Sequence, residues 1–293
     1  MIIKKSLEKW VLLSPALVVL GLVTLVPFVQ TLWLSFTDTR ITAISKPISW
    51  IGLENYIYAL TDPDFIEALG RTMYFTLTSV GAEGILGVGV ALLLNQKFPG
   101  RNILRVLIIL PWAVPTIVNA VMWRLIYHPE YGALNSMLWQ MGIITEYQSW
   151  LGDPDRALNM IIFADVWKNF PLVAYIALAA LQTVPADLLQ ASRIEGAGPW
   201  RRFRTITLPW IFGPLLVVLI LRTIEAFRVF DIVYVMTRGG PSDSTKTASF
   251  FVYQEYFSYL RSGSGASYAV LLAAISAVLI TIYYIGARRQ VQG

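Results

Sequence analysis

Residues 10–36 read WVLLSPALVVLGLVTLVPFVQTLWLSF, a continuous apolar run that contains no charged residue. About 20 predominantly apolar residues are enough for a helix to cross the ~30 Å hydrocarbon core of a bilayer. The run is too long for the hydrophobic part of a secretory signal peptide, and no A-x-A cleavage site follows it. This stretch therefore predicts a retained transmembrane helix.

Five further apolar runs of similar length follow, each bounded by charged residues, Pro or Gly. The fourth and fifth spans are weaker predictions, because charged residues lie inside them. The six predicted spans are residues 10–36, 65–94, 103–127, 157–181, 209–236 and 266–286. The chain is thus predicted to be an all-α membrane protein with six transmembrane helices, and Pro111 and Pro115 are predicted to kink the third.

The composition of the whole chain agrees with a bilayer as solvent. Hydrophobic residues make up 56% of the 293 residues and charged residues 14%, whereas an average soluble domain has roughly 25% charged residues. The chain has no Cys and a single His, His128, which excludes a disulfide framework and Cys-ligated zinc and leaves no imidazole cluster for a metal. A soluble enzyme is disfavoured, and no catalytic or metal-binding residue is predicted.

Charges near the ends of the spans indicate orientation, because cytoplasmic loops are enriched in Lys and Arg. If both termini are inside, the inner segments hold three acids and twelve cations: Lys4, Lys5, Lys9, Lys97, Arg101, Arg105, Arg193, Arg201, Arg202, Arg204, Arg288 and Arg289. The outer segments hold eleven acids and seven cations. Both termini are therefore predicted to be cytoplasmic. The formal net charge of +5 is better explained by this topology than by affinity for nucleic acid.

The predicted inner segment between the fourth and fifth spans, residues 185–209, has a strong local pattern. Pro185 suits the first turn of a helix, with Thr183 as a possible cap. Gly196 and Gly198 are predicted to end that helix, with Pro199 as a firm stop. The pattern alone is also consistent with an interfacial hairpin that only connects two spans.

A known motif has the same spacing. The segment contains, in order, Ala191, Gly196, Ile206, Leu208 and Pro209. It resembles the cytoplasmic E-A-A-x-x-x-G-x(9)-I-x-L-P motif of ABC-importer permeases, with Gln190 in place of the motif's Glu and Ser192 in place of its second Ala. The resemblance implies a cytoplasmic coupling helix that contacts a separate ATPase through Gln190, Ala191, Ser192, Glu195, Gly196 and Ala197. The chain itself has no G-x-x-x-x-G-K-[ST] phosphate-binding loop.

Other segments extend the resemblance over nearly the whole chain. They are residues 51–56, 62–65, 110–115, 123–124, 131–135 and 239–241. Together they are similar to carbohydrate-uptake permeases related to the maltose-system membrane subunits. The resemblance implies a multi-pass protein of the prokaryotic plasma (inner) membrane. It divides the chain into an N-terminal helix with an outer loop, residues 1–64, and a permease domain, residues 65–287.

The same resemblance implies the partners of the chain. These are a second related permease subunit, which forms a heterodimer with this one, two cytoplasmic ATPase subunits and an external solute-binding protein. ATP and Mg²⁺ are bound by the ATPase subunits, so no cofactor is expected in this chain. No nucleic-acid partner is expected.

Polar residues inside the predicted spans mark a candidate substrate site, because ionisable groups at membrane depth normally face a cavity or each other. Sugar recognition needs planar hydrogen-bonding groups and an aromatic face. The candidate sugar-binding residues are Asp165, Lys168, Asn169, Arg222 and Glu225, with Trp167 or Phe227 as the aromatic face. The family resemblance places the sugar between the spans that flank the coupling loop. An interhelical salt-bridge network is the alternative for the same residues.

The second predicted span carries one carboxylate and four glycines. We expect Glu83 either to lie near an Arg or Asn of another span or to lie at a shallower depth than its place in the apolar run indicates, because an unpaired carboxylate in lipid is costly. Gly81, Gly84, Gly87 and Gly89 are predicted to form a small-residue surface for close helix packing.

Two other functions remain open from the sequence. An ion-coupled secondary transporter without an ATPase partner would use Glu83, Asp165 or Glu225, although six spans without a visible inverted repeat disfavour it. A membrane-embedded enzyme would need a catalytic cluster, which the chain lacks. The carried sugar is also open: a mono- or disaccharide such as an α-glucoside is a family-level expectation, and polyol uptake uses similar permeases.

Overall fold

A computed structural model describes residues 2–42 and 47–291, and most of this part of the chain is helical. Residues 43–46 of the first predicted outer loop lie outside it. The described residues form thirteen α-helices: α1 (Ile2–Leu34), α2 (Glu54–Thr61), α3 (Pro63–Asn95), α4 (Arg101–Ala113), α5 (Thr116–Ile126), α6 (Ala133–Gln140), α7 (Pro154–Leu181), α8 (Ala186–Ile194), α9 (Pro199–Arg202), α10 (Leu208–Phe227), α11 (Asp231–Met236), α12 (Ala248–Tyr253) and α13 (Ser262–Val291). β pairing within them is limited to an isolated antiparallel bridge between Thr37 and Trp50. The all-α prediction is confirmed.

Five stretches of helix in the described residues are long and apolar enough to cross a membrane. They are Leu12–Leu34, Pro63–Asn95, Pro154–Leu181, Pro199–Phe227 and Ser262–Tyr283. A sixth span exists if α4 and α5 are counted together, although they meet at a bend of 97°. The structure therefore supports five to six of the predicted spans.

The bend between α4 and α5 lies where the two prolines predict a kink. Its angle of 97° is so large that the two helices are separate. Pro115 has no N–H to donate and forces the residue before it out of helical conformation. Val114 is accordingly extended, with ψ of 129°. The predicted span 103–127 is thus divided into helices of 13 and 11 residues, each only about 17–20 Å long.

The fifth predicted span extends to residue 236, whereas α10 ends at Phe227. The backbone leaves helical conformation at Phe230, with φ of −138° and ψ of −59°. The Thr247 hydroxyl donates to the Val229 carbonyl at 3.1 Å and so satisfies a backbone group at the break. Asp231 then starts α11, where a carboxylate is favoured by the helix dipole. The last part of the predicted span is therefore a separate short helix.

The described chain forms two compact units. One contains the residues up to Ile66 together with Phe251–Ile275. Within it, the rings of Phe65, Phe251 and Tyr268 pack with centroids 4.7 to 5.5 Å apart. None of the apolar stretch of α1 is buried in the chain, as expected for a helix that is surrounded by lipid or by another subunit.

The other unit contains Glu67–Phe250 and the residues after Ile275. Its most enclosed element is α7, with 61% of its apolar stretch buried. Near one end of α7, Leu178 packs with Leu94 of α3 and Ile211 of α10 in a single apolar cluster. This cluster holds α3, α7 and α10 together, so polar residues at the middle of the three helices lie within reach of each other.

The glycines of α3 have different environments. At Gly87, a Cβ atom would lie 2.7 Å from Val173 Cγ1 of α7, so only glycine permits this helix crossing. At Gly84 the nearest atom to such a Cβ belongs to α10, at 3.5 Å, which is an ordinary contact. Nothing lies within 4 Å of a Cβ at Gly81 or Gly89. Within the described chain, close packing therefore involves Gly84 and Gly87 but not the other two glycines.

Candidate functional site

The middle of α7 and the end of α10 border a cavity of about 440 Å³, here called the mid-helix cavity. All five predicted sugar-binding residues line it: Asp165, Lys168, Asn169, Arg222 and Glu225. Trp112 and Thr116 reach it from the bend between α4 and α5, and Phe230 and Asp231 reach it from the break between α10 and α11. Both interruptions of the helical backbone therefore adjoin the same cavity.

Arg222 is the centre of the ion pairs around this cavity. Its Nε and Nη2 donate to the two carboxylate oxygens of Glu83 at 2.8 and 2.9 Å. Nη1 donates to Glu225 at 2.5 Å, and Nη2 also donates to Asp165 at 3.3 Å. We call these four residues the arginine cluster. The expectation that Glu83 lies near an Arg of another span is confirmed, and the pair has the bidentate geometry of strong Arg–carboxylate recognition.

The arginine cluster divides the predicted sugar-binding residues into two groups. Arg222 and Asp165 are buried and bonded to each other, and Asn169 donates to the Asp165 carboxylate at 2.9 Å. These three residues form the interhelical network that was the alternative to sugar binding. The side chain of Glu225 is 65% exposed, and Lys168 is half-buried. Glu225 and Lys168 are therefore the charged members of the set that are open to the cavity.

The aromatic residues at the cavity differ from the predicted pair. Phe227 is buried in the helix interface, and Trp167 packs edge-on against Trp123 with centroids 5.6 Å apart; neither lines the cavity. Trp112 and Phe230 line it instead, and Trp112 is 44% exposed. The sequence signal for Trp112 was its position between the two prolines, at the bend. Phe230 had no such signal, because the end of α10 was not predicted.

Residues 185–209, called the coupling segment after their predicted role, contain α8, α9 and the π-helical turn Phe203–Thr207. The end of α8 is a Schellman motif: the Ala197 N–H donates to the Ser192 carbonyl at 2.9 Å and the Gly196 N–H to the Arg193 carbonyl at 3.0 Å. Gly196 has φ of +76°, the left-handed conformation that this motif requires. The prediction that Gly196 ends the helix is confirmed.

The start of α8 differs in detail from the prediction. Pro185 is the capping residue rather than a residue of the first turn, with φ of −59° and ψ of 126°. Thr183 does not cap the helix: its hydroxyl donates to the Ala180 carbonyl and accepts from the Trp210 indole N–H at 3.1 Å. The hydrogen bond between Trp210 and Thr183 links the residues just before the coupling segment to α10.

The predicted coupling residues are mostly at the surface. Gln190, Ala191, Glu195 and Gly196 are exposed and Ala197 is half-buried, whereas Ser192 is buried and donates to the Leu189 carbonyl. Two large apolar side chains outside the predicted coupling set are also highly exposed: Ile194 at 88% and Trp200 at 70%. Apolar side chains of this size are seldom so exposed on the surface of a soluble protein. Ile194 and Trp200 flank the left-handed turn at Gly196. Such an apolar surface is typical of a site that another protein covers.

An all-α chain with five to six apolar spans and a polar cavity at mid-helix depth is typical of a membrane transport protein. Residues 84–292 match the family described as binding-protein-dependent transport system inner membrane component, and the chain belongs to this family. It is therefore a multi-pass protein of the inner membrane and a permease subunit of an ABC importer, a transport component rather than an enzyme.

Curated relatives agree with this family, and a solved structure shares the fold. The chain is 38% identical to the trehalose/maltose transport system permease protein MalF of Thermococcus litoralis, over 94% of this chain and 91% of the relative. It is 36% identical to the sulfoquinovosyl glycerol transport system permease protein SmoG of Agrobacterium fabrum, over 93% and 87% of the two chains. The fold is similar to a chain of a bacterial ABC transporter that imports alginate, with a TM-score of 0.83, 20% identity and coverage of 98% and 97%.

Proposed function

We propose that the chain forms half of the pathway by which a sugar crosses the membrane. An external binding protein delivers the sugar, a mono- or disaccharide such as an α-glucoside. The proposal is supported by the resemblance of the outer and inner segments to carbohydrate-uptake permeases and by the sugars named for the two relatives. The complete importer contains a second, related permease and two ATPase subunits that bind ATP and Mg²⁺.

The proposed topology has both termini in the cytoplasm and α8 on the cytoplasmic face as the coupling helix. It is supported by the excess of Lys and Arg in the predicted inner segments. In this topology, residues 65–287 form the transport domain, which contains the coupling segment 185–209. Residues 1–64 add a further membrane helix and an outer loop.

The observation that carries the proposal is the exposed apolar surface of the coupling segment. The chain has no phosphate-binding loop, so a motor outside the chain must move it. Ile194 at the end of α8 and Trp200 at the start of α9 are exposed on either side of the tight turn at Gly196. A short helix with such an exposed apolar end has the form of a helix that lies in a groove of a partner. The ATPase supplies that groove. In each cycle its closure moves the coupling segment and, through it, α7 and α10.

The proposed sugar site is the mid-helix cavity. Lys168 and Glu225 offer a donor and an acceptor to sugar hydroxyls, and the Asn169 amide carbonyl offers a further acceptor. Trp112 can cover the C–H face of the ring. Arg222 and Asp165 act mainly by fixing the positions of these groups.

An introduced charge tests the coupling surface. Ile194→Asp places a carboxylate at the proposed ATPase contact and should abolish co-purification of the ATPase with the permease pair. Ile143→Asp is the matched control, because Ile143 is also a highly exposed Ile, at 61%, but lies in a predicted outer loop. Equal recovery of the ATPase with both variants would contradict the proposal.

A further inference from the structure

We infer that Glu83 makes the mid-helix cavity select uncharged saccharides over acidic ones, because it withholds Arg222 from the substrate. The inference rests on the proposed sugar site and assigns its substrate class. Glu83 is fully buried on α3 and does not line the cavity, so it acts through Arg222 as a positioning residue.

The hydrogen bonds of Arg222 show how it is withheld. A guanidinium has five N–H donors, and four of those of Arg222 are directed at protein carboxylates. Two of the four go to Glu83, which does not line the cavity. A carboxylate on a sugar would bind best to a bidentate pair of guanidinium N–H groups, and Glu83 already occupies that pair.

The charge around the cavity acts in the same direction. The acids of the cavity and its arginine cluster are Glu83, Asp165, Glu225 and Asp231, and the cations are Lys168, Arg222 and Arg228. With every group in its ordinary charge state, four negative charges against three positive ones give a formal net charge of −1. Without Glu83 the formal net charge is zero, and the two N–H groups of Arg222 that now donate to Glu83 are available to a ligand. The buried carboxylate thus both removes the best anion-binding group and makes the cavity repel anions.

The test compares two sugars that differ by one charge: trehalose, and trehalose with one primary alcohol oxidised to a carboxylate. Equilibrium binding of each is measured on the purified complex of permeases and ATPases without the external binding protein, which would impose its own selectivity. The wild-type complex should prefer trehalose by at least about tenfold. Glu83→Gln should reduce this preference to about threefold or less, chiefly by improving the binding of the acid.

Glu67→Gln is the matched control. Glu67 lies on the same helix about 24 Å away and is also bonded to an arginine, Arg71, at 2.5 Å, but it is exposed. This variant should keep the wild-type preference. Because each preference is a ratio measured on one preparation, partial unfolding of a variant cancels from it.

Two results would overturn the inference while leaving the proposed function intact: equal wild-type affinity for the two sugars, or an unchanged preference in Glu83→Gln. If the wild-type complex bound neither sugar, the proposed sugar site itself would be wrong, and the inference would fall with it. Should Glu83→Gln fail to fold, the wild-type comparison alone still decides whether the cavity discriminates against the acid.

Discussion

Replacing Gly196 by alanine changes one backbone conformation in the coupling segment. Gly196 has φ of +76°, and a Cβ atom there would meet nothing within 4 Å. The cost of Gly196→Ala is therefore conformational rather than steric. An L-residue in the left-handed region costs about 1–2 kcal/mol. This free energy lowers the population of the turn by roughly 5- to 30-fold.

The chain provides a matched control two residues away. A Cβ at Gly198 would also meet nothing within 4 Å, but φ there is −66°, which any residue adopts. Gly198→Ala should therefore be neutral or slightly stabilising. Gly196→Asn should lie between the two alanine variants, because Asn tolerates the left-handed region better than Ala.

The assay is ATP hydrolysis by the complete importer in proteoliposomes, with and without the loaded binding protein. In Gly196→Ala, the stimulation of ATP hydrolysis by the loaded binding protein should fall by roughly 5- to 30-fold, while assembly of the complex remains measurable. Gly198→Ala should keep it. Equal stimulation of the two alanine variants would refute the view that the left-handed turn positions the coupling helix.

Two further predictions concern the transport domain. Gly87→Ala should destabilise the complex by about 1–3 kcal/mol and lower its melting temperature in detergent, because the new Cβ would lie 2.7 Å from Val173 Cγ1. Gly81→Ala should leave the melting temperature unchanged, because its Cβ would meet no atom within 4 Å. Similar melting temperatures for the two variants would contradict this packing. Lys168→Met should weaken sugar binding to the purified permease complex by about tenfold or more, since a hydrogen bond from a charged donor contributes about 1.5–3 kcal/mol; unchanged affinity would remove Lys168 from the sugar site.

Local patterns in the sequence were sufficient to locate the long apolar helices and the turn at Gly196, but not the break between α10 and α11. An apolar run of the right length predicts a membrane helix wherever it lies, and a glycine followed by another glycine and a proline predicts a helix end from local backbone chemistry alone. The same local rules located the bend at Pro115. They could not give its size of 97°, which depends on how α4 and α5 pack on the rest of the chain.

The sequence was sufficient to predict which residues belong to the candidate site, but not how their side chains are arranged. Polar residues at mid-span identified Asp165, Lys168 and Arg222, and the cost of a lone carboxylate required a partner for Glu83. Which residues pair and which face the cavity depends on how α3, α7 and α10 are rotated about their axes. A spacing along one helix does not fix that rotation relative to its neighbours. For the same reason, Phe227 was expected at the cavity and is buried instead.

The most direct test of the account is a cross-link from the coupling segment to the motor. The chain has no native cysteine, so Ile194→Cys introduces a unique thiol in this subunit, to which a photoreactive cross-linker can be attached in the assembled importer. An adduct with an ATPase subunit is expected from position 194, and none is expected from Ile143→Cys. Illumination that joins position 194 only to lipid, or to the external binding protein, would contradict it.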